Sequence, residues 1–455
     1  MTTKEHFRIT FNLAYPVMLS QLGQVLVGVA DSMMVGQLGA VPLAASSLAN
    51  SIFFVVLMFG MGVSMGITPL VSKADGRGAK KRISKLFQHG LWLNIATSVA
   101  LTILLIGFGE ILYFLDQPDQ VVDQAIPYLW VITASLFPFM IFQTFKQFAE
   151  GLAQTRQAMF ITIFCNVINI ILNWILIFGK LGFPELGLMG AGYATLISRI
   201  LMPIMMGWYV LNSKRYELFD LSLKLKSFSR LLFGRIMNIG LPTGFQYIFE
   251  VSAFSAAAIM MGWIGVNALA AHQIALNLAA ISYMMASGLS TAGMIRVGNQ
   301  IGRGDMKTMQ EAGMMVFKMV LVFMSMSAII FVLGRFFLPS LYIDDAEVIS
   351  LAGTLLVIAG LFQLSDGAQV VGLGVLRGME DVRVPTIVTL LAYWVFALPL
   401  AYILAFPLGL NEVGIWYGLL IGLSVTAVLL FVRFKRLSNK LIAGEEISTA
   451  AQSLK

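Results

Sequence analysis

Two long stretches of this chain carry almost no charge, and they constrain the fold more than any other feature of the sequence. Residues 9–72 contain one charged side chain, that of Asp31, and residues 236–295 contain one, that of Glu250. About 20 consecutive apolar residues are enough to cross a bilayer as a helix, so each stretch holds two crossings. The chain is 58% hydrophobic and 12% charged over 455 residues, which excludes a water-soluble protein of this size.

Further uncharged or once-interrupted stretches bring the prediction to twelve membrane spans. Their approximate bounds are residues 11–35, 43–71, 89–113, 126–149, 158–179, 188–211, 236–262, 268–295, 312–338, 348–375, 385–407 and 413–434. Runs such as residues 161–178 lack the alternation of a barrel strand, so the spans are predicted to be helices. The first span is too long for a cleavable signal peptide and contains Asp31. Cys165 is the only cysteine, which excludes an internal disulfide and argues against a structural zinc site.

The net charge of +7 is explained by topology rather than by nucleic-acid binding. Basic residues cluster before span one and in alternate loops: Lys4, Arg8, Lys73, Arg77, Lys80, Lys81, Arg82, Lys85, Lys214, Arg215, Lys224, Lys226, Arg230 and Arg235. Only Lys180 and Arg335 lie at the other face, together with Asp116, Asp119, Asp123, Asp344, Asp345 and Glu347. The positive-inside rule therefore places both termini in the cytoplasm.

The chain repeats itself with a shift of 226 positions. Residues 34–45 (MVGQLGAVPLAA) align without gaps to residues 260–271 (MMGWIGVNALAA), and six of the twelve positions are identical. The same shift pairs Pro16 with Pro242 and Gly62 with Gly288. Each half holds six spans, an even number, which predicts two lobes related by a pseudo-two-fold axis along the membrane normal. We place the lobes at residues 1–222 and 223–455, with the basic segment 212–235 as the linker.

Three acidic residues fall inside predicted spans, whereas the other twenty of the 23 lie in loops or near span ends. These are Asp31, Glu250 and Asp366. A charge at mid-bilayer costs about 2.5 to 3.5 kcal/mol, so such groups usually mark an ion or substrate path. The alternative is a protonated carboxyl that hydrogen-bonds between helices. The sequence predicts no Lys or Arg at the depth of Glu250 or Asp366, which would leave these carboxyls to bind an external cation or a proton.

Span five carries Asn169 and Asn173, which lie four residues apart and therefore on one helix face. Their carbonyl oxygens could bind a small cation, and hydrogen bonding between helices is the alternative. The 27 methionines and 33 phenylalanines suit a promiscuous apolar cavity, although each is more often a packing residue. The chain has no HExxH or GxxxxGK[ST] motif, and its one GxSxG sequence, at residues 62–66, lies inside a predicted transmembrane helix rather than at a turn from strand to helix. We therefore expect no enzyme, no ATP-driven pump and no cofactor.

Several motifs in order resemble the multidrug and toxic compound extrusion (MATE) family, in its NorM-like branch. They are PVMLSQLGQVLVGVADSMMVGQLG in span one, FEVSAF around Glu250, LAAHQIALN, IRVGNQIGRGD, NIILNW and QLSDGAQVVGLGVLRG around Asp366. The resemblance implies an all-α inner-membrane antiporter with two six-helix lobes. It implies export of cationic and amphiphilic drugs or dyes, such as fluoroquinolones and ethidium, in exchange for Na+ or H+. We expect it to function as a monomer among membrane lipids.

The resemblance also assigns the site residues. Glu250 and Asp366 match carboxylates where Na+ or another coupling cation binds in the family, and Asp31, Asn169 and Asn173 match a polar cluster of the N-terminal lobe. Phe362 departs from the pattern, because some NorM-like members have tyrosine there, and the lost hydroxyl weakens the case for Na+. The expected mechanism is alternating access, with drug bound in a cleft lined by methionine and phenylalanine between the lobes.

Two other functions are weighed against export of drugs. A flippase or exporter of lipid-linked oligosaccharides has a related architecture, but it should need a basic cavity for pyrophosphate and additional spans. An intramembrane hydrolase with paired aspartates is disfavoured because the one GxGD sequence of the chain, at residues 302–305, lies outside the predicted spans.

Overall fold

A computed structural model describes residues 2–114, 117–219, 221 and 228–453. In these ranges the ordered elements are helical. The α-helices are α1 (Thr3–Gly36), α2 (Ala40–Ser64), α3 (Ile67–Gly76), α4 (Lys80–Phe108), α5 (Asp119–Ala134), α6 (Leu136–Gly151), α7 (Thr155–Phe178), α8 (Gly187–Asn212), α9 (Arg230–Ile264), α10 (Val266–Arg303), α11 (Met306–Leu333), α12 (Phe337–Ser340), α13 (Ala346–Gly378), α14 (Arg383–Leu390), α15 (Leu398–Ala405) and α16 (Asn411–Ser453). A 3-10 helix (Gly109–Phe114) follows α4, and a π-helix (Leu391–Ala397) joins α14 to α15.

Twelve helical segments of the described chain are long and apolar enough to cross a membrane, in the order that the sequence predicts. Three of them are interrupted: α2 continues into α3, α5 continues into α6, and the π-helix lies within the eleventh span. The predicted all-α fold with twelve spans is confirmed. Several helices extend beyond the predicted bounds. The prediction ended each span at the first charged residue, but a helix can continue through charged residues. For example, α10 ends at Arg303 rather than near residue 295.

The chain forms two compact units. One consists of Met1–Met18 with Phe245–Lys455, and the other consists of Leu19–Gly244. Both divisions fall inside helices, α1 and α9, just after the repeat-related prolines Pro16 and Pro242. The predicted lobe boundary at residues 222/223 lies outside the described residues and stays a prediction, and so do the loop assignments of Asp116, Lys224 and Lys226.

In the unit Leu19–Gly244, the end of α2 packs closely against the first part of α9 through glycines. A Cβ added at Gly62 would lie 2.6 Å from the Cα of Gly244, and one added at Gly66 would lie 2.9 Å from the nitrogen of Gly240. Gly240 and Gly244 lie four residues apart on α9 and so share one face, whereas Gly66 lies in the break between α2 and α3. This is the small-residue pattern by which membrane helices bring their backbones together.

The other unit repeats this crossing with α10 and α1. A Cβ added at Gly288 would lie 2.9 Å from the nitrogen of Met18 and 3.1 Å from the carbonyl oxygen of Ala14. The 226-position shift relates Gly62 to Gly288. It also relates Ala14 to Gly240 and Met18 to Gly244. The internal repeat is therefore visible in helix packing as well as in sequence.

Turn geometry follows the same repeat. Gly78, after α3, has φ of +64°, and its equivalent Gly304, after α10, has φ of +82°. Glycine takes this left-handed conformation without the steric cost that a Cβ brings, so it ends a helix readily. The paired glycines seen in the sequence are thus explained by a shared chain reversal.

Candidate functional site

Glu250 of α9 and Asp366 of α13 lie in the same unit and are both buried, with 5% and 3% of their surface exposed. The charges of the two carboxyls act on each other. Two adjacent buried carboxylates repel each other unless a positive charge or a proton is nearby. The structure therefore brings together the two acids that the sequence singles out in its C-terminal half.

Two tyrosines flank this carboxyl pair. Tyr283 of α10 and Tyr393 of the π-helix both interact electrostatically with Glu250 and Asp366. Tyr393 is fully buried, and its Oη lies 3.0 Å from Nε2 of the equally buried Gln369, which donates to it. Nothing in the sequence marks these tyrosines, apart from the position of Gln369 one turn after Asp366. A π-helical turn is often found at functional sites, and here it carries Tyr393.

Aromatic rings pack beside the carboxyl pair. Phe254 meets Phe362 edge-on at 6.2 Å between centroids and meets Tyr393 at 6.0 Å. Phe362 also contacts Trp416, whose Nε1 donates to Nδ1 of His272 over 3.1 Å. Phe362, which lies one turn before Asp366, is thus packed between the rings of Phe254 and Trp416.

Gln363 is a buried amide with no hydrogen-bond partner for either of its polar side-chain atoms. It precedes Asp366 by three residues and shares its helix face. A buried amide without a partner costs about 1 to 3 kcal/mol, so its presence needs an explanation. Its oxygen adds one more hard donor to a region that already holds two carboxyls and two tyrosines.

The sequence predicts no Lys or Arg at the depth of Glu250 or Asp366, and the structure adds an arginine that approaches Glu250 from the end of a span. The charge of Arg377, on α13, acts on Glu250. Its Nη2 donates to Oε1 of Gln246 over 3.2 Å, and Gln246 lies one helical turn before Glu250 on α9. Arg377 falls just outside the predicted span 348–375, and helix packing brings its long side chain to α9.

The second polar cluster lies in the unit Leu19–Gly244 and contains the predicted trio. Asn173 Nδ2 donates to the carboxylate of half-buried Asp31, and it lies 3.3 Å from Oδ1 of Asn169. Asn169 in turn reaches Oγ of Ser198 at 3.4 Å and Oγ1 of Thr195 at 3.5 Å. Turning the Asn169 amide over places its nitrogen 3.0 Å from Asp31. Asn173 Oδ1 is buried without a hydrogen-bond partner.

Arg199 accompanies this second cluster. Its charge acts on Asp31, and its Nη1 donates to Oγ of Ser135 over 2.8 Å. The guanidinium also lies 5.0 Å from the ring centroid of Phe53 and 5.1 Å from that of Phe139. Cation–π contacts of this kind hold a guanidinium in place without neutralising it. Each unit therefore combines an acidic cluster with one arginine.

The donors of both clusters are oxygens from mixed residue types. Among the residues that the structure describes, no three His, Cys, Asp or Glu side chains come together as a metal site. Carboxylate, amide and phenol oxygens are ligands for hard cations. The chemistry available is thus reversible binding of a small cation, or of a proton, at a carboxylate.

A sequence model of the MatE family matches residues 16–175 and 242–403. The two matched segments begin 226 positions apart, which is the shift of the internal repeat. The chain is 36% identical to a probable multidrug resistance protein NorM of Rhizobium meliloti, over 97% of this chain and 96% of that protein. It is 34% identical to the multidrug resistance protein MdtK of Yersinia pseudotuberculosis, over 94% and 95%.

Solved structures have the same fold. An outward-facing multidrug resistance MATE family transporter of the MOP superfamily superposes with a TM-score of 0.89 at 22% identity, over 96% of this chain and 97% of that one. The eukaryotic MATE transporter AtDTX14 gives 0.87 at 22% identity, over 97% and 99%. These similarities agree with the twelve-span, two-unit architecture described above.

Proposed function

The chain belongs to the MatE family of multi-pass multidrug efflux transporters, and we propose that it exports cationic and amphiphilic organic compounds in exchange for Na+ or H+. The observation that carries the proposal is the buried pair Glu250 and Asp366. Tyr283 and Tyr393 interact electrostatically with both carboxyls, and the charge of Arg377 acts on Glu250. Such a site can hold one added positive charge and release it again.

Exchange follows from the charge of the site. Two carboxylates with one arginine carry a net charge of −1, so an external cation that binds there neutralises the site. If the state with the cation bound holds drug less tightly, the cation drives drug release. Coupling of this kind is reciprocal and typically amounts to about 1–3 kcal/mol.

The cluster of Asp31, Asn169 and Asn173 supports a role in the other unit. Its one carboxylate is already hydrogen-bonded by an amide, and a buried amide oxygen of Asn173 has no partner. We place a second polar site for cation or substrate there. We propose that transport occurs by alternating access, as the family resemblance implies. The drug would bind in a cleft lined by methionine and phenylalanine.

The proposal includes a location in the inner membrane, cytoplasmic termini and function as a monomer. The basic residues at alternate loops support the orientation. Fluoroquinolones and ethidium are the substrates with which we would begin, because they are cationic or zwitterionic and amphiphilic.

The test uses purified protein in proteoliposomes that contain ethidium or norfloxacin, with Na+ and proton gradients imposed separately. We expect the wild type to transport drug under at least one gradient, and we expect Glu250→Gln and Asp366→Asn to transport none while inserting normally. Asp344→Asn, at an exposed loop acid, is the matched control and should transport like the wild type. Full transport by both site variants would show that the carboxyl pair has no part in coupling.

A further inference from the structure

Arg377 is a buried cation inside the C-terminal carboxylate site, with only 6% of its surface exposed. Besides its hydrogen bond to Gln246, its guanidinium lies 5.6 Å from the ring centroid of Tyr247. Gln246 and Tyr247 are neutral groups, and the charge of Arg377 also acts on the carboxyl of Glu250. Opposite charges that lie near a buried charge lower its cost, so this carboxyl favours an arginine here.

The contacts of Arg377 with α9 place its guanidinium near the carboxyl of Glu250. Gln246, Tyr247 and Glu250 lie within one turn, and residues three and four apart share a helix face. Contacts with Gln246 and Tyr247 therefore fix the guanidinium one turn from the Glu250 carboxyl. The charge of Arg377 acts on Glu250 and also on Tyr283, which flanks the carboxyl pair.

The repeat does not require an arginine here. The alignment that pairs residues 151–156 with residues 378–383 places Glu150 opposite Arg377. Glu150 is buried too, but its partner is Lys146 on the same helix, 3.9 Å away. Equivalent positions of the two halves thus carry opposite charges. The fold therefore accommodates either charge at this position, and the charge of Arg377 acts on Glu250, one of the two paired carboxyls.

We propose that Arg377 is a positioning residue that acts as a resident cation in the site of Glu250 and Asp366, through Glu250, and so sets how tightly the site holds the coupling ion. This inference rests on the proposed antiport. With Arg377 present, an incoming cation meets a net charge of −1, and without it the cation would meet −2. The stronger attraction would favour binding and slow release. Arg377 thereby keeps the affinity low enough for the ion to leave in each transport cycle.

The test is the dependence of drug export on the driving cation in proteoliposomes, for the wild type, Arg377→Gln and Arg377→Lys. For Arg377→Gln we expect the cation concentration at half-maximal export to fall on the order of tenfold, within the usual range for coupled sites. The maximal rate should fall as well. Arg377→Lys retains the charge and should restore both values toward those of the wild type. A purely structural role would lower the rate without raising the cation affinity.

Arg296→Gln is the matched control, because Arg296 is a buried arginine of the same unit that bonds to His6 and Thr10 instead of approaching the carboxyl pair. Its half-maximal cation concentration should not change. If Arg377→Gln fails to fold, Gln246→Leu releases the guanidinium from its anchor and should shift the cation dependence in the same direction. Unchanged or weaker cation affinity in the folded variants would overturn the inference. Absence of drug export by the wild type would instead contradict the antiport itself.

Discussion

At the scale of single residues, the buried carboxyls could be identified from the sequence because they are rare. Asp31, Glu250 and Asp366 stand out against apolar spans, and an unpaired charge there would be costly. Tyr283, Tyr393 and Arg377 could not be identified in this way. Tyrosine is common in such spans, and Arg377 lies at a span end, where basic residues are expected. Only the packing of α9, α10, α13 and the π-helix shows that these side chains approach the carboxyl pair.

Phe362→Tyr should strengthen the response to Na+. The ring of Phe362 lies one turn from Asp366 and packs edge-on against Phe254 and Trp416. A hydroxyl added there gains one oxygen ligand, which is worth about 1 kcal/mol or roughly a fivefold change in affinity. We expect a lower Na+ concentration at half-maximal ethidium export. Phe362→Leu, which adds no oxygen, should not show this shift, and an equal shift in both variants would attribute the effect to packing.

Tyr393→Phe should destabilise the protein by about 1–3 kcal/mol, because it leaves the amide of Gln369 buried without its partner. The measurement is thermal unfolding of the purified protein in detergent. Tyr402→Phe provides the comparison, since Tyr402 is about half exposed, at 49%, and should change the melting temperature little. Equal melting temperatures for the wild type, Tyr393→Phe and Tyr402→Phe would mean that the Tyr393–Gln369 hydrogen bond adds no net stability.

At the scale of helices, the number and order of spans could be predicted from apolar length, whereas their interruptions could not. The break between α2 and α3 falls at Met65 and Gly66, inside one continuous apolar stretch. A hydropathy pattern averages over some twenty residues and does not register a local change in backbone geometry. The repeat pairs Gly62 with Gly288 in the sequence, but only the packing of the helices shows that these glycines contact α9 and α1.

Gly62→Ala should be among the most damaging small substitutions in the chain. The added Cβ would lie 2.6 Å from a backbone atom of Gly244, so α2 and α9 would have to separate along their crossing. Overpacking of this kind costs about 3 kcal/mol. We expect a large fall in folded yield and melting temperature, measured by fluorescence-detected size exclusion.

Gly28→Ala is the control for this substitution. Gly28 lies in α1, and an added Cβ meets no atom within 4 Å. Since alanine favours helices over glycine by about 1 kcal/mol, this variant should fold at least as well as the wild type. A Gly62→Ala protein as stable as Gly28→Ala would show that the crossing has room to relax.

At the scale of the whole molecule, each of the two units carries an acidic cluster with one arginine beside it. Arg199 is held by Ser135 and two phenylalanine rings, and Arg377 is held by Gln246 and Tyr247. The two arginines are not equivalent by the repeat, since Glu150 occupies the position related to Arg377. Each unit therefore places an arginine near a carboxyl through residues that the repeat does not relate. The formal charges differ, because Arg199 balances the single carboxylate of Asp31, whereas Arg377 leaves a net charge of −1 with Glu250 and Asp366.

The predicted orientation in the membrane can be tested with single cysteines. Cys165 is the only native cysteine and is fully buried, so Cys165→Ala provides a background without thiols. Lys180→Cys and Lys81→Cys then introduce exposed thiols at loops predicted to lie on opposite sides. In intact spheroplasts, a membrane-impermeant maleimide should label only Lys180→Cys, and permeabilisation should add labelling of Lys81→Cys. Labelling of Lys81→Cys alone before permeabilisation would show that the topology is the opposite of the predicted one, and that the proposed direction of export is wrong.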